Sequence, residues 1–123
     1  MFVVLLTYCR SLDVIDGLLE AHRRYLDVCY DRGVFLASGR REPRTGGVIL
    51  ARAESREALA AILAEDPFHG AGAASYEIIE FTPGKVAPGL EGLLADPVSL
   101  PAMYGVIPKT KAPDFRPGPS NYW

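Results

Sequence analysis

A chain of 123 residues, 49% apolar and 23% charged, has the size and make-up of one globular domain with a single core. Its net charge of −2 offers no basic footprint of the kind that holds DNA or RNA, so no nucleic-acid partner is expected. Its cysteines, Cys9 and Cys29, are too sparse for a disulfide scaffold and lack C-x-x-C spacing, so free thiols are expected.

Phe2 to Tyr8 is β-branched and aromatic without a breaker and predicts a buried strand. The same stretch is too short for a membrane span and has no basic lead or cleavage site. The expected location is therefore the cytoplasm, with no membrane partner. Ser11 then offers an N-cap hydroxyl, Asp13 and Asp16 place negative charge in the first turns, and the helix runs to about Asp31 before Gly33 stops it. Val34 to Ser38 predicts a second strand ended by Gly39. The polar stretch from Arg40 to Thr45 is of hairpin length. Gly46-Gly47 leads into a third strand, Val48 to Ala53.

Ser55 caps a second helix with Glu57 in its first turn and Leu59, Ile62 and Leu63 as its apolar stripe. Asp66-Pro67 ends that helix, because the residue before proline is pushed out of the α region. Phe68 and a loop of small residues, Gly70 to Ala74, follow, and Tyr76 to Thr82 predicts the fourth strand. The order β-α-β-β-α-β is the ferredoxin-like pattern: an α+β fold with a four-stranded antiparallel sheet and both helices on one face. Strands one, three and four are apolar on both sides, which predicts a homodimer joined through the open sheet face. Gly89 to Ala95 could form a short helix. The domain therefore covers 1–95. Residues 96–123, rich in proline, glycine and aromatics, form an extension that composition reads equally as a docked arm or an unstructured tail.

The residue with most to say about chemistry is His22. It completes the buried series Ile15, Leu18, Leu19, Leu26 and Cys29 on the first helix, opposite Asp16, Glu20, Arg23, Arg24, Asp27 and Asp31. An imidazole turned inward needs a partner or must be held neutral. Asp66 is the candidate partner, since Glu65 and Asp66 stand at a helix C-terminus where the dipole disfavours acids. A carboxylate on one ring nitrogen fixes the tautomer and makes the other nitrogen a general base. A lone histidine on an apolar helix face is also how a satisfied core residue reads, and Asp-Pro after a helix also reads as a plain turn. Tyr8, Arg10, Tyr25, Ser38, Arg40 and Phe68 are candidates to line the same cleft, with Arg10 or Arg40 holding an anionic oxygen. His69 is expected in an exposed loop. Phosphate-binding, dinucleotide, zinc-protease and serine-hydrolase motifs are all missing, and two histidines without a cysteine pair do not support a zinc site, so neither metal nor cofactor is expected.

The pieces His22-Arg23-Arg24-Tyr25-Leu26, Gly33 through Gly39, Asp66-Pro67-Phe68 and Tyr76 through Phe81 together resemble the YciI-like (YCII-related) proteins over about residues 1–95. The resemblance implies a dimeric α+β barrel, similar to muconolactone isomerase, with His22 and Asp66 at the positions of a proposed catalytic dyad. Members include a dehydrochlorinase acting on a chlorinated hydroxyquinol. The chain departs from the pattern at Arg40-Arg41 and in its long extension. Three functions are carried forward. The first is a cofactor-independent lyase or isomerase that abstracts a proton from a small cyclic or aromatic carbonyl or phenol. The second is a cofactor-free monooxygenase of an aromatic substrate. The third is a non-catalytic protein that binds a small ligand.

Overall fold

The computed structural model describes residues 1–94 and contains the expected order of elements. Strand β1 (Phe2–Tyr8) leads to helix α1 (Leu12–Asp31), then β2 (Phe35–Arg40), β3 (Gly46–Ala51), helix α2 (Arg56–Leu63), a short helix α3 (Pro67–Gly70) and β4 (Ala74–Glu80). A 3-10 turn at Glu91–Leu94 falls within the stretch expected to form a short helix. The extension from 96 to 123 lies outside the described residues.

The strands form one antiparallel sheet in the order β2-β3-β1-β4, the ferredoxin-like arrangement. Two strands begin and end earlier than composition suggested: β3 starts at Gly46 and β4 at Ala74, while β2 runs through Gly39 to Arg40. The glycines do not stop the ladder. Gly39 pairs with Val48, and Gly46 faces Thr7. At Gly46 the backbone of Leu6 passes so close that even a Cβ would collide with its carbonyl oxygen. Only glycine lets β3 approach β1 there.

Alternation along each strand divides the sheet into two unlike faces. Phe2, Val4 and Leu6 pair with Ala51, Ile49 and Gly47 and turn toward the helices. There they join Ile15 and Leu26 of α1 and Leu59, Ile62 and Leu63 of α2 in one core. Both helix starts are capped as expected, Ser11 Oγ accepting from the Val14 amide and Ser55 Oγ from the Ala58 amide. Val3, Leu5, Val48, Leu50 and Ile79 fall on the other face, which no described helix covers, and Val48 and Ile79 are exposed. Glu77 shares that open face opposite Leu5.

The largest local departure is at Asp66. The second helix ends at Leu63 with Ala64 as its C-cap, so Asp66 does not belong to that terminus. It is the N-cap of α3, in an extended conformation, with Pro67 in the first turn. The stretch expected to be loop around Phe68 is thus a helical turn.

Candidate functional site

Helix α1 crosses the sheet with His22 midway along its buried face, and the α2–α3 junction brings Asp66 against it. His22 Nδ1 lies 2.7 Å from Asp66 Oδ1, and both side chains are 0% exposed. Asp66 Oδ1 also accepts the Phe68 amide at 3.0 Å, and Oδ2 accepts the Tyr76 hydroxyl at 2.7 Å. The expectation of an acid misplaced at a helix C-terminus is therefore corrected. Asp66 caps the start of a helix, where orphan amides favour a carboxylate. Glu65, the other acid in that argument, remains exposed with Arg32 Nη1 at 3.9 Å.

The Asp-Pro-Phe segment supplies three parts of the site at once. Asp66 holds the imidazole edge, Pro67 starts the helical turn with a φ already suited to it, and Phe68 stacks flat on the ring. The His22 and Phe68 centroids are 4.0 Å apart with 12° between planes. Tyr8 meets Phe68 edge-on at 6.0 Å. A carboxylate is an acceptor only, so it takes its bond to His22 from Nδ1–H, and this tautomer carries its lone pair on Nε2. Burial leaves the attraction between the carboxylate and a protonated imidazole poorly screened by water.

Of the other residues singled out, Phe68 and Tyr8 join this cluster. The ring of Tyr25 stands 6.3 Å from that of His22, but its hydroxyl donates to the Ile62 carbonyl at 2.7 Å and ties α1 to α2. Ser38 Oγ bonds the Tyr30 hydroxyl at 2.6 Å on the helix-facing side of β2. Arg40 pairs with Glu42 at 3.2 Å, and Arg10 is exposed in the turn before α1. Arg44, which stands near Arg40 and Arg41 in the chain, is turned toward α1. It bonds Asp16 of α1, and that bond, with a smaller contribution from Tyr8, holds its charge more firmly than usual. Tyr76 was missed as a site residue. Its role depends on the β1–β4 register, which sets it opposite Leu6. Among the described residues no group of three or more His, Cys, Asp or Glu side chains could hold a metal ion. No described helix is long and apolar enough to cross a membrane.

Burial, reinforced for Tyr76 by Asp66 and for Tyr25 by Cys29, pushes both phenols well above the ordinary tyrosine value. Burial likewise raises the Cys29 thiol. A raised folded-state value means that the folded chain keeps protons that the unfolded chain gives up. The stabilisation is complete below the ordinary tyrosine value of 10.0 and is lost as pH climbs above it. Urea unfolding followed from about pH 8 to about pH 11 should show a falling midpoint past the unfolded tyrosine value. A flat profile would mean that the two phenols are not held protonated.

An antiparallel four-stranded sheet with its helices on one face, and a buried His–Asp pair between helix and sheet, defines a ferredoxin-like α+β domain with a candidate acid–base centre. The YCII-related domain matches residues 1–82, and the chain belongs to that family. Among solved structures it is similar to 5-chloro-2-hydroxyhydroquinone dehydrochlorinase from Burkholderia phenoliruptrix AC1100, solved in complex with 2,5-dihydroxybenzoquinone. The two share 22% identity with a TM-score of 0.58, over 68% of this chain and 96% of that one. The likeness bears out the expected ferredoxin-like α+β fold. No curated protein matches the chain in sequence.

Proposed function

We propose that this protein is a small cofactor-independent lyase or isomerase in which His22 Nε2 is the general base. His22 removes a proton from carbon beside a carbonyl, or from a phenol, of a small cyclic or aromatic substrate. The electron pair stays on the substrate as an enolate or phenolate. An enolate then either takes the proton back at another atom or expels a leaving group such as chloride from the β carbon. A phenolate first takes the proton back on a ring carbon, and the resulting ketone, if that carbon bears chlorine, loses chloride as a remaining hydroxyl gives up its proton. Asp66 orients the ring and stabilises the imidazolium while the proton is held. The observation that carries the reading is the buried 2.7 Å contact from His22 Nδ1 to Asp66 Oδ1. The structural neighbour's dehydrochlorinase activity on a hydroxyhydroquinone supports the substrate class.

The apolar open face of Val3, Leu5, Val48, Leu50 and Ile79 supports a homodimer joined sheet to sheet. The complete burial of His22 and Asp66 favours one rival, a structural pair in a protein that binds a ligand without transforming it.

Solvent-deuterium exchange separates the two. The purified dimer is incubated in heavy water with a panel of halogenated hydroxyquinols, cyclic enones and unsaturated lactones. Proton NMR and halide release then follow exchange and turnover. Catalysed exchange without oxygen consumption is the expected result. Binding without exchange on every member of the panel would leave the structural reading in place, and oxygen uptake would point to a monooxygenase.

A further inference from the structure

His22 and Asp66 have a third partner on the sheet. Asp66 has two oxygens, and its terminal torsion is soft, so one bond to an imidazole does not by itself fix the rotation of the carboxylate plane. The Phe68 amide acts on the same oxygen as His22, Oδ1. Among the described residues only Tyr76 acts on the other, donating to Oδ2 at 2.7 Å. Tyr76 is in turn located by β4, whose pairing with β1 runs without a shift from Phe2 against Glu80 to Tyr8 against Ala74. We propose that Tyr76 is a positioning residue of the dyad: its hydroxyl pins Asp66 Oδ2, holds Oδ1 on His22 Nδ1, and so keeps proton exchange at Nε2. The catalytic meaning of this rests on His22 being the base, whereas the coupling itself does not.

The surroundings of the carboxylate make the bond consequential. Among the described residues the hydrogen-bond donors that reach the Asp66 carboxylate are His22 Nδ1, the Phe68 amide and the Tyr76 hydroxyl. The titratable groups near it are Tyr25 and Cys29 on α1, Glu65 beside it in the chain, and Tyr76 on β4. His69 of α3 lies behind Tyr76, with ring centroids 5.6 Å apart. Tyr25 spends its hydroxyl on Ile62 and Cys29 is a neutral thiol, so neither replaces Tyr76 as a donor.

Removing the Tyr76 hydroxyl penalises the state with an anionic carboxylate beside a neutral ring more than the state with a protonated ring. The variant's dyad is therefore expected to hold its proton to higher pH than the parent's. The experiment is nitrogen-15 NMR of the imidazoles against pH in the parent protein, Tyr76→Phe and Tyr25→Phe. His69, the only other histidine, serves as the internal reference. In Tyr76→Phe the His22 midpoint should move up by about one pH unit, roughly a tenfold change in proton affinity, while Tyr25→Phe leaves it in place. A Tyr76→Phe curve that superimposes on the parent's, or a Tyr25→Phe shift of equal size, overturns the proposal.

The parent alone provides a second check should Tyr76→Phe fold poorly. Its neutral His22 ring should carry the proton on Nδ1, and a ring protonated on Nε2 overturns the proposal as well. The outcomes separate from those of the function. A shift in Tyr76→Phe together with full activity in His22 variants keeps the positioning role and removes the base. No shift, with activity lost in His22 variants, does the reverse.

Discussion

Replacing His22 by asparagine, or Asp66 by asparagine, should lower turnover by roughly 10²–10⁴-fold while leaving the protein folded. The choice of side chain matters, because a crude truncation would confuse chemistry with stability. His22→Ala would strand a fully buried carboxylate without its ring partner. His22→Asn instead keeps an N–H donor near the position of Nδ1 and removes only the nitrogen that would take the substrate proton. Asp66→Asn keeps an oxygen to accept the Phe68 amide and the Nδ1–H, and its amide can donate to the Tyr76 oxygen. What it removes is the charge that balances an imidazolium. Steady-state kinetics on whichever member of the panel turns over, with circular dichroism and sedimentation as controls, decides the matter. Full activity in both folded variants would remove the dyad from the mechanism.

The sequence revealed the fold more readily than the site, for a physical reason. Helix α1 announces itself because Ile15, His22, Leu26 and Cys29 recur at helical spacing, and Ser11 and Ser55 mark helix starts through local hydrogen bonds. Helix α3 is four residues long, too short to show a period. Its available signal was chemical, an Asp N-cap followed by Pro in the first turn. Taken as the end of α2, the same residues put Asp66 at the wrong terminus, although its contact with His22 forms. Tyr25 illustrates a different limit. Nothing along the chain says that its hydroxyl will find the carbonyl of Ile62, thirty-seven positions away. The Tyr76–Asp66 and Arg44–Asp16 contacts likewise depend on strand register and loop course, which no local pattern encodes.

Asp66→Ala should cost about 3–5 kcal/mol of folding stability, far more than Asp66→Asn. Alanine removes one acceptor from three donors together: the Phe68 amide, His22 Nδ1–H and the Tyr76 hydroxyl. Loss of the N-cap alone is worth about 1 kcal/mol. Each buried donor left without an acceptor adds about 1–3 kcal/mol, reduced where water can enter the space vacated by the carboxylate. Phe68 magnifies the effect, since the turn that Asp66 caps also places that ring, fully buried, between His22 and Tyr8. Urea unfolding at matched protein concentration, which holds any contribution from self-association constant, gives the difference directly. Asparagine retains the cap and most of the network, so its loss should stay below about 2 kcal/mol. If alanine and asparagine destabilise alike, the lost charge rather than the lost acceptor set dominates. If alanine costs less than about 1 kcal/mol, the α2–α3 junction is held by packing, and Asp66 has no structural reason to be there apart from its chemistry with His22.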